Sequence, residues 1–150
     1  NFIPFSSAMI RRHKFEAAGG FDETLRMGID WDLWLRLSVE NTFEFVPQPL
    51  LIYRVGHPGQ MSKNRETRQL CSDRIMAKFL EQNPGLLAPG VIKRAYAYTF
   101  VNRAYAARDS GLSASNRWLI RAMGQQPLWW RPYGELAKNA VLALLPRARS

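Results

Sequence analysis

The chain has 150 residues, of which 47% are apolar and 22% charged, and Lys plus Arg outnumber Asp plus Glu by 21 to 12. That composition supplies one domain with a real core and excludes a disordered tail, a collagen-like repeat and a low-complexity linker. The single cysteine, Cys71, excludes a disulfide scaffold and a multi-cysteine zinc site, and it fits a reducing, cytosolic compartment.

Residues 6–10 read as a short strand. Residues 11–18 are good helix formers, and Gly19-Gly20 ends that helix, because glycine takes the left-handed position after a helix without a Cβ clash. Residues 21–24 are a loop. Residues 31–40 read as a helix whose apolar side chains run nearly all round, so it is expected to be buried on most sides. Phe43, Phe45 and residues 50–55 read as strands, broken by Pro47 and Pro49. His57-Pro58-Gly59-Gln60 has the composition of a turn.

Beyond residue 64 the chain reads as helical. Residues 66–82 carry Leu70, Ile75, Met76, Phe79 and Leu80 on one face, and Pro84-Gly85 stops them. Residues 91–109 and 113–123 form two more helices around Asp109-Ser110-Gly111. With small residues at Ala104, Ala107 and Ala122, they suggest one antiparallel hairpin of the tetratricopeptide kind. Residues 134–145 read as a last amphipathic helix.

Charge changes with composition. Residues 1–64 hold seven basic and seven acidic groups, whereas residues 65–150 hold fourteen basic and five acidic ones. Two regions are therefore expected, 1–64 and 65–150. The apolar run from Ala140 to Leu145 is far short of the ~20 residues that cross a bilayer, and no signal-peptide pattern is present. The chain opens on Asn1 and runs at once into Phe2-Ile3-Pro4-Phe5, which suggests a piece lacking its N-terminal part.

Chemistry concentrates in residues 6–62, which run SSAMIRRHKFEAAGGFDETLRMGIDWDLWLRL, then two strand-like stretches, then PLLIYRVGHPGQMS. Taken alone, Asp30 reads as the cap of the following helix, since Asp accepts well from the first free backbone N–H groups. Asp32, two positions on, points about 200° away on a helix, so the two carboxylates cannot face one ligand. Trp31 and Trp34 share a helix face: core packing suits Trp34, whereas Trp31 is equally suited to a ligand. Arg54 is suited to phosphate oxygens or to a structural ion pair, and His57 to a solvent-facing turn or to a metal.

The order of these elements resembles the C-terminal half of the catalytic domain of family 2 glycosyltransferases, the inverting enzymes of GT-A fold. It rests on the glycine pair before Phe21-Asp22, the acidic residue opening a Trp-rich helix, the Pro-Leu-x-x-Tyr-Arg stretch, and a His followed closely by Ser62. The resemblance implies an α/β fold, a partial Rossmann-like GT-A half followed by an all-α tail. It implies transfer of a sugar from a nucleotide-diphosphate donor to the hydroxyl of a sugar or lipid-linked acceptor, in cell-surface polysaccharide or glycolipid synthesis. Asp30 would be the general base, a role worth ~10²–10⁴-fold in rate. Gly20, Phe21, Asp22, Trp31 and Arg54 would bind acceptor or substrate. His57 would sit at a divalent metal, Mg or Mn, that neutralises the leaving diphosphate.

One position departs from the family, Ile29 standing where Glu often precedes the base. The metal-binding Asp-x-Asp and the donor-binding strands would lie before this region, but no Asp-x-Asp precedes Asp30, the triplet Asp30-Trp31-Asp32 stands at a helix start and not at a strand end, and a Gly-rich phosphate loop is absent. Alone, the 150 residues are then expected to be inactive. The basic tail, with Trp129, Trp130 and Tyr133 beside Arg131, suits peripheral contact with the inner face of the plasma membrane. Two readings without catalysis stand beside the transferase. One is a nucleic-acid-binding helical domain, disfavoured by the neutral first region. The other is a helical module for protein interaction.

Overall fold

A computed structural model describes residues 3–52 and 64–144. It divides into two compact units, Asn1–Pro84 and Gly85–Ser150.

In the first unit a 3-10 turn, Phe5–Ser7, precedes helix α1 (Arg12–Ala17), helix α2 (Ile29–Ser38) and helix α3 (Arg65–Gln82). The glycine pair ends α1 as its composition predicts. Gly19 and Gly20 both take left-handed φ, and their N–H groups return to the carbonyls of Glu16 and Phe15. Helix α2 begins earlier than expected, at Gly28, whose φ of +76° starts the helix with no capping side chain. Asp30 is therefore inside the first turn and is not its cap. Helix α3 is capped by Asn64, whose side-chain oxygen accepts from the Thr67 N–H at 3.0 Å. Leu33, Trp34 and Leu37 of α2 form the core, against Phe15 and Ala18 from the α1 side and Phe21 beyond it.

The second unit holds helix α4 (Pro89–Ala107), a 3-10 turn (Arg108–Ser110), helix α5 (Leu112–Gln125) and helix α6 (Trp130–Leu144). Pro89 occupies the first turn of α4, where its missing N–H leaves no bond unmade. Gly111 turns the chain with φ of +122°, so α4 and α5 run antiparallel. Ala104 and Ala122 let the two backbones approach around Val101 and Leu119, with Phe100, Trp118, Trp129 and Leu136 closing the rim. Helix α6 starts before the expected residue 134 and packs on α5.

The α/β class expected from the sequence is corrected here: the described residues contain helices and turns and no strand. A strand needs a neighbour for its backbone N–H and C=O groups. Around Phe43 and Phe45 the chain is exposed and unladdered, and Pro47 and Pro49 have no N–H to give. Between them the Gln48 N–H turns back to the Val46 carbonyl at 2.8 Å. Leu50 and Ile52 are likewise exposed and outside any sheet, while 53–55 lie outside the described residues. Of the stretch expected as a strand at 6–10, Ser6 and Ser7 belong to the Phe5–Ser7 turn, the Ala8 N–H returns to the Phe5 carbonyl, and residues 8–10 lie outside any sheet. A GT-A half domain is built on a sheet, so the resemblance to family 2 glycosyltransferases is not supported.

Candidate functional site

Two arrangements of polar side chains stand out in the first unit. The first joins α3 to α2 and to the loop after α1. Lys78 Nζ donates to Asp22 Oδ2 at 2.7 Å and to Asp32 Oδ1 at 2.9 Å. On the other side of Asp32, Arg36 Nε donates to Oδ2 at 2.9 Å, an i to i+4 pair on α2. The Arg36 guanidinium also donates to the carbonyls of Ala18 and Gly20, two of the acceptors left free where α1 ends. Asp22 Oδ1 accepts from the N–H and hydroxyl of Thr24, which closes the loop on itself.

The electrostatics follow from these contacts. Hydrogen bonds from Lys78 and then Thr24 hold Asp22 well below the usual carboxylate range, outweighing the opposing effect of burial. For Lys78, burial works to lower the pKa, but hydrogen bonds to Asp22 and Asp32 outweigh it and the net shift is upward. The ammonium is thus fixed as the cation between two carboxylates. Asp22 and Asp32 face a shared point that already holds this ammonium, so the pair does not fit a divalent metal. Among the described residues no group of three His, Cys, Asp or Glu side chains stands close enough to hold an ion.

The second arrangement is a cavity of about 220 Å³ between the start of α2 and the first half of α3. Met27, Gly28, Asp30 and Trp31 line it from α2, and Arg68, Cys71, Ser72 and Ile75 from α3. The left-handed Gly28 is needed for that approach, since a Cβ there would stand 3.0 Å from Ile75 Cδ1.

The structure therefore separates the residues singled out in the sequence. Asp30 and Trp31 share the cavity. Gly20, Phe21 and Asp22 are outside its lining. Gly20 lends its carbonyl to Arg36, Phe21 packs edge-on against Phe5 and Phe15 at 5.7 and 5.1 Å, and Asp22 binds Lys78. Arg54 and His57 lie outside the described residues. Lys78 and Arg36 were not foreseen. The i to i+4 spacing from Asp32 signals Arg36, whereas nothing local signals Lys78.

In the second unit, polar side chains face inward on α6. Asn139 is buried and makes three hydrogen bonds. Its Nδ2 donates to Ser115 Oγ at 3.0 Å and to Asn116 Oδ1 at 2.7 Å, and its Oδ1 accepts from Arg108 Nε at 2.8 Å. Glu135 receives the Arg108 guanidinium and the Tyr105 hydroxyl. Burial alone would raise the Glu135 pKa, but these two donors outweigh it and the net shift is downward. Arg131 Nε donates to the Tyr105 oxygen at 3.2 Å and completes the chain of contacts.

The outer face of α6 is apolar. At about 100° per residue, Trp130, Tyr133, Ala137, Val141 and Leu144 fall within one arc that also holds Gly134 and Ala140. Trp130 is 75% exposed, Val141 59% and Leu144 86%. Lys138 and Arg131 flank this arc on one side. Elsewhere in the unit Lys93, Arg94, Arg117 and Arg121 are exposed, and Trp118 lies under the guanidinium groups of Arg103 and Arg121 at 5.0 and 4.8 Å.

Among the described residues no helix is long and apolar enough to cross a membrane. No family model, curated protein or solved structure matches the chain.

Proposed function

We propose that the chain is a basic helical interaction module without catalysis, and that its second unit docks on an anionic partner. One observation carries this. The exposed cations Lys93, Arg94, Arg117, Arg121 and Lys138 share their unit with two acids among the described residues, Asp109 and Glu135, and Glu135 is engaged by Arg108. A surface so one-sided attracts polyanions over distances up to the Debye length of ~10 Å at moderate salt. Retention of the whole chain on immobilised heparin tests it. Elution should need substantial salt, and Lys93→Glu with Arg94→Glu should lower that salt clearly at unchanged helical content. Flow-through of the unaltered chain at low salt would overturn the proposal.

A further inference from the structure

Helix α6 departs from the polarity of an ordinary surface helix, with apolar side chains on both faces and its acid and amide turned inward. An ordinary surface helix turns its apolar stripe to the core and its charges to water. Here the buried side carries Asn139 and the ion-paired Glu135 beside Pro132 and Leu136, while Trp130, Tyr133, Val141 and Leu144 face outward. The inward face is satisfied bond for bond, so α6 has no need to turn over. An outward apolar arc running the length of the helix, about 21 Å at 1.5 Å per residue, is left without cover from the described residues of its own unit.

The charges at its edge select the cover. Of the charged residues on α6, the acid is turned inward and held by Arg108, and both cations, Arg131 and Lys138, border the arc. A second copy laid antiparallel on this face would bring like charges together. A surface that is apolar in depth and anionic at its rim matches the arc and its border at once. Trp130 and Tyr133 at the start of the helix are the side chains that favour the headgroup level of a bilayer.

We infer that α6 lies in the plane of an anionic phospholipid surface, its apolar arc below the headgroups and Lys138 and Arg131 among the phosphates. This rests on the anionic-partner function proposed above and specifies the partner. The helix is too short and its buried side too polar to span the bilayer, so the contact is peripheral.

The experiment is co-sedimentation of the whole chain with unilamellar vesicles, of phosphatidylcholine alone or mixed with phosphatidylserine. The chain should pellet with the mixed vesicles and stay in solution with the neutral ones. Val141→Glu and, separately, Ala137→Glu should each weaken pelleting at least about tenfold, because a carboxylate is placed among acyl chains. Lys138→Glu should weaken it less. Both apolar positions are exposed, and unchanged circular dichroism confirms the fold of each variant. Equal pelleting of wild type and both glutamate variants would overturn the inference, as would no pelleting with either vesicle. So would a concentration-dependent dimer in sedimentation velocity that Val141→Glu dissolves, or a duplex oligonucleotide that competes the chain off mixed vesicles without loss in the glutamate variants. Heparin retention with no vesicle binding would sink the lipid surface and leave the anionic-partner function standing.

Discussion

The ammonium of Lys78 stands 2.9 Å from the buried carboxylate of Asp32, a residue 46 positions earlier in the chain. That contact joins α3 to α2 through charge, and the one to Asp22 joins α3 to the loop after α1. Removing one member of such a group leaves the others with fewer donors in a partly desolvated place. Lys78→Met leaves Asp32 to Arg36 alone and Asp22 to Thr24, so it should cost about 1–3 kcal/mol, below the scale for a wholly unpaired buried charge. Urea denaturation followed by circular dichroism measures it. A cost near zero would mean that water solvates both carboxylates in the folded chain.

The same group predicts how stability depends on pH. Hydrogen bonds from Lys78 and Thr24 depress Asp22, so folding favours its ionised form. Its contribution is complete above the ordinary value of 3.8 and is lost as pH falls through the lower folded value. Lys78 is raised above 10.5, so its contribution is complete below that value and is lost as pH rises through the higher folded one. Melting temperature measured against pH should fall below about pH 4, and Asp22→Asn should flatten that acid limb while lowering stability near neutrality.

Gly28 starts α2 with φ of +76° and sits against Ile75. Gly28→Ala should cost about 1–3 kcal/mol, from the left-handed backbone and from a Cβ 3.0 Å away from Ile75 Cδ1. Ile75→Val removes that methyl and leaves the backbone strain. In the double variant the costs should fall short of their sum, and the shortfall measures the steric part. Strict additivity would show that the backbone alone sets the cost.

The helices were legible because their signals are local. Gly19-Gly20, Pro84, Gly111 and Pro127 stop runs of helix formers, and the structure ends helices within a few residues of each. The strands were misread because alternation around Phe43 and Phe45 says only that a strand would suit the side chains. A sheet is a property of pairs, and no described segment pairs with this one. Asp30 was legible as a candidate because a carboxylate in the first turn of a Trp-rich helix is visible in the sequence. Its neighbours Arg68, Cys71 and Ser72 were not, because they arrive from α3. For α6 a helical wheel gives the apolar arc but not its direction. The partners of Asn139 and Glu135 show which side faces inward.

Those partners support the last prediction. Asn139 is buried, with donors serving Ser115 and Asn116 and an acceptor serving Arg108. Leucine at this position fills similar volume but strands the Arg108 Nε–H and the two acceptors. Each buried polar group left unmade costs about 1–3 kcal/mol, so Asn139→Leu should destabilise the second unit by several kcal/mol despite its gain in apolarity. Aspartate loses both donors, yet the Ser115 hydroxyl can rotate to donate and the Asn116 amide can flip, while Arg108 gains a second carboxylate beside Glu135. Asn139→Asp should then cost less than Asn139→Leu at neutral pH, with the order read from urea midpoints. The reverse order would mean that apolar packing at the α5–α6 contact outweighs its polar network, and that the inward face of α6 is not what fixes the outward one.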